Sequence, residues 1–342
     1  MRAPTIRDVA NRAGVGVGTV SRMVNGGQHV SARTQSRVQA AIEELGFRPS
    51  RRGQAFARGR TSSVVVLVPF VTHPSAVERV SGLIHGLRAS ALPVSVADVE
   101  RPEHQGEHLT SLVDDLRPEG LVVVSLRLSD QELAALAAAQ VRPVLVDAEA
   151  PGLSSLVTDD REGGRTATDH LLTLGHRRVG FVGDLERDLF GFTSSERRHA
   201  GYVEALAAAG IDRDPDLERT GQHSQDNARG QAAALFALSD PPTAVFAASD
   251  TQALGVLQAA RERGLRVPED VSVVGYDDIA VAELVALTTV RQPLVESGMR
   301  AAAIVLEQVA DPDRAAERIE LPLELVVRGS TGPPPAARPT GR

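Results

Sequence analysis

Residues 5–25, TIRDVANRAGVGVGTVSRMVN, read as two short helices joined by a glycine turn. Thr5 with Asp8 three positions on makes a capping-box-like start, and Ile6, Val9, Ala10 and Ala13 recur at the i, i+3, i+4, i+7 spacing of one apolar helical face. Gly14 supplies the turn. Val15, Val20, Met23 and Val24 would pack the second helix back on the first, leaving Val17, Gly18, Ser21, Arg22 and Asn25 facing outward. That is the arrangement of a helix-turn-helix, which lays its second helix in the major groove of DNA. Arg22 is the natural base reader of the set, because its forked donors match the two acceptors of guanine.

Working outward, Gly26 and Gly27 end the second helix, and Ser31 can cap a third whose buried stripe is Val38, Ala41, Ile42 and Leu45, with Gly46 as its stop. Residues 1–48 are thus expected to form a three-helix DNA-binding headpiece. Residues 49–61 restart the chain as a basic linker, in which 51–57 can form a hinge helix with Phe56 near its end. A helix of that length is marginal alone in water, and Gly53 weakens it further, so it should order only when something holds it.

Charge divides the chain at the same place. Residues 1–60 hold eleven arginines against Asp8, Glu43 and Glu44, a net of +8, whereas the whole chain of 342 residues has a net charge of −7, which leaves −15 for the remainder. A basic head on an acidic body is the footprint of a DNA-binding module attached to something that is not one. The chain has no cysteine, which excludes disulfides, thiol nucleophiles and thiolate metal sites. His104 and His108 stand four apart without a third ligand in view, so no metal site is expected. With no long apolar run and no export signal, neither membrane insertion nor secretion is expected, and the chain reads as cytoplasmic.

From Ser63 the pattern changes. Apolar β-rich runs at 64–68, 93–99, 121–125 and 144–147 alternate with helical stretches near 75–89, 104–116 and 130–140. A second set follows a break around Pro151-Gly152: helix 161–174, strand 179–183, helices 195–209 and 227–238, strand 244–248, helix 251–263 and strand 271–276. This is the grammar of two α/β lobes with doubly wound parallel sheets, spanning 62–330, with helix 294–309 and strands around 319–327 returning the chain across both. Residues 331–342, rich in proline, read as a disordered tail. Nothing marks an enzyme: there is no nucleophile elbow, and the glycines at 14, 16 and 18 do not form a phosphate loop between a strand and a helix.

These blocks together resemble the LacI/GalR family of transcriptional regulators over nearly the whole chain. The resemblance is carried by TIRDVANRAGV, TVSRMVN, ELGFRPS, HLLTLGHRRVGFVG, RRHAGYVEALAAAG, AVFAASDTQALGVLQAARERGLRVPEDVSVVGYDD, TTVRQP and LPLELVVRGST. It implies a homodimeric repressor whose headpieces read a near-palindromic operator in double-stranded DNA. It also implies a hinge helix in the minor groove and a periplasmic-binding-protein-like core that closes on a small effector, without saying which; an arginine and two or three carboxylates facing one cleft suit a polyol, so a mono- or oligosaccharide is expected, with no cofactor.

The resemblance further assigns base reading to Val17, Gly18 and Arg22, and phosphate proximity to Thr19, Ser21 and Asn25, with Thr5 and Arg51 on the same DNA-facing side. Phe56 stands where an apolar side chain wedges a base step. For the effector it points to Asp159 or Asp160, Arg198, Ser249, Asp250, Asp277 and Gln292, with Phe70, His73 and His223 as pocket walls. Gly16 and Gly18 depart from the commoner family pattern and offer no side-chain reach.

Overall fold

The computed structural model describes residues 4–24, 31–45, 61–90, 92–112, 118–184 and 190–335. The headpiece consists of α1 (Ile6–Ala13), α2 (Val17–Val24) and α3 (Ala32–Leu45). Both halves of the capping box form: Asp8 N donates to Thr5 Oγ1 at 3.4 Å and Thr5 N donates to Asp8 Oδ2 at 2.7 Å. Gly14 ends α1 at a φ of 60°, and its N–H closes on the carbonyls of Ala10 and Asn11. The left-handed geometry that turns α1 into α2 is what glycine provides without strain. Val9, Ala10, Ala13, Val20, Val38 and Ala41 form a small core of their own. Because so small a core leaves little stability in reserve, Thr5→Ala should lower headpiece stability by about 1 kcal/mol. Thermal unfolding followed by headpiece-specific signals checks this, and an unchanged midpoint would contradict it.

The first lobe contains β1 (Thr61–Pro69), α4 (Pro74–Leu87), β2 (Val94–Val99), α5 (Pro102–Ser111), β3 (Pro118–Val124), α6 (Asp130–Ala138), β4 (Pro143–Val146) and β5 (Ser154–Val157). The second contains α7 (Asp160–Thr173), β6 (Val179–Asp184), α8 (Ser194–Ala208), β7 (Glu218–Gly221), α9 (Gln225–Phe236), β8 (Ala244–Ala247), α10 (Asp250–Glu262), β9 (Ser272–Asp277), α11 (Ala280–Leu284) and β10 (Thr288–Arg291). The chain then returns through α12 (Leu294–Ala310) and β11 (Arg318–Glu320) to the first lobe, and through β12 (Glu324–Val326) to the second.

The sheets run β11-β5-β4-β3-β1-β2 and β12-β10-β9-β8-β6-β7. All described pairings are parallel except β10 with β12. Val64 to Val68 are all buried, as a strand covered on both faces requires. In both lobes the strand order reverses beside the first strand, between β1 and β3 and between β6 and β8, which makes two topological switch points.

Two helix pairs set the lobes' geometry through close backbone approach. A Cβ on Gly298 of α12 would lie 2.0 Å from the Arg79 carbonyl oxygen of α4, and one on Gly164 of α7 would lie 2.0 Å from that of Arg198 in α8. Glycine at these positions lets the helices touch backbone to backbone.

Two expectations need correction, and three strands were not foreseen. The break at Pro151-Gly152 falls inside the first lobe, because β5 follows it and pairs with β4; the chain crosses only at 158–159. The four-residue strands β5, β7 and β10 go unread because, unlike the equally short β4 and β8, they are not continuous apolar runs: β5 buries Ser154 and Ser155, and β7 and β10 read ERTG and TTVR. The tail is ordered further than its prolines imply: the Gly332 carbonyl accepts hydrogen bonds at the buried His176 and from Ser272 Oγ, and Thr331 Oγ1 pairs with Thr288 and His170. The core therefore extends at least to residue 332. Among the described residues no helix is long and apolar enough to cross a membrane.

Candidate functional site

The carboxyl ends of the two sheets face one another across a cleft of about 410 Å³. Parallel sheets expose their loops and helix N-termini at that end, so two switch points meet in one pocket. Phe70 follows β1, Ser125 follows β3, Asp147 follows β4 and Asp277 ends β9; all four line the cleft, and all four hold positive φ, at 50°, 55°, 60° and 118°. Side chains with a Cβ pay for that conformation, and such strain persists where it aims groups at a ligand.

Arg198 is the centre of the second lobe's wall. Its Nε donates to Asp160 Oδ1 at 2.8 Å, its Nη1 donates to the Ala248 carbonyl at 2.6 Å and lies 3.8 Å from Asp277 Oδ1, and its Cζ sits 3.7 Å above the centroid of Tyr276. Burial pushes the Asp160 and Asp277 carboxyls up, and the guanidinium pulls against that shift. Burial also works against the Arg198 cation, but Asp160, Tyr276 and Asp277 outweigh it and hold the guanidinium above its ordinary value. Gln292, on the segment crossing from β10 to α12, donates to Asp277 Oδ1 at 2.6 Å and accepts from Arg79 Nη2 at 3.1 Å. A continuous polar chain therefore runs from α4 in one lobe to α7 in the other.

Rings bridge the lobes along the cleft's other side. Phe192 stacks on Phe190, which meets Phe70 edge-on; Phe70 stacks on His73, and the His73 and His223 rings lie 5.1 Å apart across the lobe boundary. Burial lowers the His73 pKa, with His223 adding to the effect. Burial would lower His223 too, but its 3.0 Å bond to Asp184 Oδ1 prevails and raises it. Asp184 Oδ1 also accepts from Gln252 Nε2, which orients that carboxylate toward the cleft rim.

The structure brings Phe70, His73, Asp160, Arg198, His223, Ser249, Asp277 and Gln292 into this one cleft. It does not bring Asp159 or Asp250 there. Asp159 is the exposed N-cap of α7, accepting from the N–H groups of Arg161 and Glu162, so of the two adjacent aspartates only Asp160 faces the cleft. Asp250 is fully buried behind the wall, accepting from Ile279 N at 2.9 Å and Thr289 Oγ1 at 2.6 Å. Arg79, Ser125, Asp147, Asp184 and Phe192 line the cleft and were not anticipated. Ser125, Asp147 and Asp184 end or follow strands and were within reach of the strand-end rule, whereas nothing in the sequence marks Arg79.

Burial, with Asp277 adding to it, pushes the Asp250 carboxyl up to about 8. The folded state thus holds a proton that the unfolded chain releases near pH 4. Stability from this group is full below that pH and declines as pH rises toward 8. Asparagine can accept from Ile279 N and donate to the Thr289 hydroxyl, so Asp250→Asn should fold and show a flatter stability profile between pH 4 and 8. Urea unfolding across that range checks this, and an unchanged slope would contradict it.

In the headpiece, Val17, Gly18 and Arg22 are exposed on α2 and Thr19 and Ser21 are half-buried. Arg22 Nε rests on the Gly18 carbonyl at 3.2 Å. A Cβ at Gly16 or Gly18 would meet nothing within 4 Å, so packing does not demand glycine at either position and the outer face of α2 is bare there. Thr5 is committed to Asp8 through both its hydroxyl and its N–H. Asn25, Arg51 and Phe56 lie outside the described residues.

Comparison with known proteins accords with both domains. Residues 5–50 match the family described as bacterial regulatory proteins, lacI family, and residues 168–331 match a periplasmic binding protein-like domain. The HTH-type transcriptional repressor PurR of Aliivibrio salmonicida (strain LFI1238) is 31% identical over 332 residues, which is 95% of this chain and 98% of that protein. The Lac repressor dimer bound to operator and the anti-inducer ONPF has a TM-score of 0.80 at 30% identity, covering 97% of this chain and 100% of that one. A complex of the transcriptional regulator CelR with cellobiose has a TM-score of 0.70 at 32% identity, covering 96% and 99%. The chain therefore belongs to the LacI family of transcriptional regulators, a DNA-binding helix-turn-helix headpiece joined to a two-lobed periplasmic-binding-protein-like core.

Proposed function

We propose that this regulator is a homodimeric repressor that reads a near-palindromic operator and is controlled by a neutral saccharide bound between its lobes. The observation that carries the effector reading is the composition of the cleft. Five carboxylates (Asp147, Glu149, Asp160, Asp184, Asp277) face four arginines (Arg79, Arg127, Arg197, Arg198) in one pocket beside Phe70 and Phe192. Near-balanced charge leaves no strong preference for an ion, while fixed donors and acceptors suit hydroxyls and the rings suit the apolar faces of a sugar. The relative bound to cellobiose points the same way.

Val17, Gly18 and Arg22 supply the base-facing surface, with Thr19 and Ser21 near phosphates and Asn25, Arg51 and Phe56 completing the contact. Val77 and Ile84 on α4 with Val295 and Met299 on α12 leave an exposed apolar face across the paired helices, suited to a two-fold partner. The saccharide reading is tested by a thermal-shift titration of the full chain with mono- and disaccharides. A bound sugar raises the melting temperature by mass action, by an amount equivalent to about 2.7 kcal/mol at a hundred times Kd. No shift with any sugar at millimolar concentration would refute that reading.

A further inference from the structure

Arg79 lies on α4 against the cleft and is 7% exposed. Its guanidinium offers five donors and commits few of them: Nη2 donates to Gln292 Oε1 at 3.1 Å and lies 3.6 Å from Asp147 Oδ2, while Nε is enclosed without a partner. A buried cation with unmatched donors is expensive, and the neighbouring Val80 and Leu83 belong to an apolar cluster that would accept a leucine. Beside it, Asp147 Oδ2 takes a hydrogen bond from Ser125 Oγ at 2.9 Å, and Oδ1 accepts none among the described residues. Thr158 Oγ1, on the same wall, is also buried without a partner.

The enclosed Nε is out of a ligand's reach, but Nη1 has no partner among the described residues, and a free donor there next to the free Asp147 Oδ1 is the complement of two adjacent hydroxyls, each of which gives one hydrogen bond and takes another. We propose that Arg79 is a specificity-determining residue for the effector, holding with Asp147 a vicinal diol of the sugar from the first lobe. The inference rests on the saccharide reading of the cleft. Asp147 also fixes the ligand's charge: a carboxylate drawn to Arg79 would meet Asp147 at close range, so uronic acids are disfavoured and neutral sugars accepted. Through Gln292 the diol reader joins Asp277 and Arg198, so one sugar is gripped from both lobes by a single connected network.

The test uses the full chain. A thermal-shift panel of cellobiose, other neutral disaccharides and glucuronic acid identifies a probe, which is then titrated by calorimetry into wild type, Arg79→Leu and Asp147→Asn, together with monodeoxy analogues of that probe. Arg79→Leu should fold and bind the neutral probe about tenfold to a hundredfold more weakly. The deoxy analogue lacking a hydroxyl that Arg79 holds should lose less affinity for Arg79→Leu than for wild type, a coupling that a purely structural arginine would not produce, and equal losses overturn the inference. Equal affinity of wild type and Arg79→Leu for the probe overturns the inference and leaves the saccharide reading standing, whereas a preference for glucuronic acid overturns the inference together with the neutral-sugar reading. If no member of the panel shifts wild type, the saccharide reading fails and takes the inference with it. Should Arg79→Leu not fold, Asp147→Asn is read against the same analogues with the same two outcomes.

Discussion

Arg198→Leu is expected to abolish saccharide binding and to cost the core about 3–5 kcal/mol of stability. Arg198 is 6% exposed and answers two carboxylates that are themselves buried, so its removal leaves Asp160 and Asp277 without their cation. Both carboxyls already sit above their ordinary range, and losing the guanidinium raises them further. The folded variant should therefore take up protons that the unfolded chain releases, and its stability deficit should grow as pH rises above the ordinary carboxylate range. Arg198→Lys keeps the charge but loses the fork that reaches Asp160 Oδ1 and the Ala248 carbonyl together, and should fall between the two. Urea unfolding at pH 5 and pH 8 reads the stability term and calorimetry reads the binding. Near-wild-type affinity in Arg198→Leu would remove this residue from the effector site.

Arg22→Ala is expected to weaken operator binding about tenfold to a hundredfold and to relax the preference for operator over unrelated DNA. The size of the effect follows from what surrounds it. With no side chain at Gly16 or Gly18, α2 offers few other groups that reach a base edge, and Arg22 is exposed where the groove floor would lie. A residue that touches only phosphate would instead weaken all sequences alike. Competition gel shifts with operator and scrambled duplexes separate the two cases, and an unchanged specificity ratio would place base reading elsewhere.

The headpiece was legible because its local signals agree: capping box, glycine turn and apolar spacing each fix the same two helices, and Thr5, Asp8 and Gly14 behave as their residue types dictate. Arg198, Asp277 and Gln292 were found through blocks that resemble a known family, and the cleft unites them. Neighbouring residues were harder to resolve. Asp159 and Asp160 differ by one position on a helix start, and only the backbone decides which caps the helix and which turns inward. Asp250 follows a strand as a ligand-binding aspartate would, yet its carboxyl is taken by Ile279 N and Thr289. Arg79 was illegible for a different reason: it lies on a helix, and its place in the cleft's polar chain arises from Gln292, 213 residues away in sequence.

Control by the effector requires that the sugar bind two states of the core unequally, since a ligand with equal affinity for both shifts nothing. The most direct measurement is the affinity of the purified full chain for labelled operator across a titration of the saccharide that raises its melting temperature. A change of at least about fivefold at saturating sugar, matched by the same factor in sugar affinity when operator is bound, is the predicted result. Operator affinity that stays constant from zero to saturating sugar would contradict it.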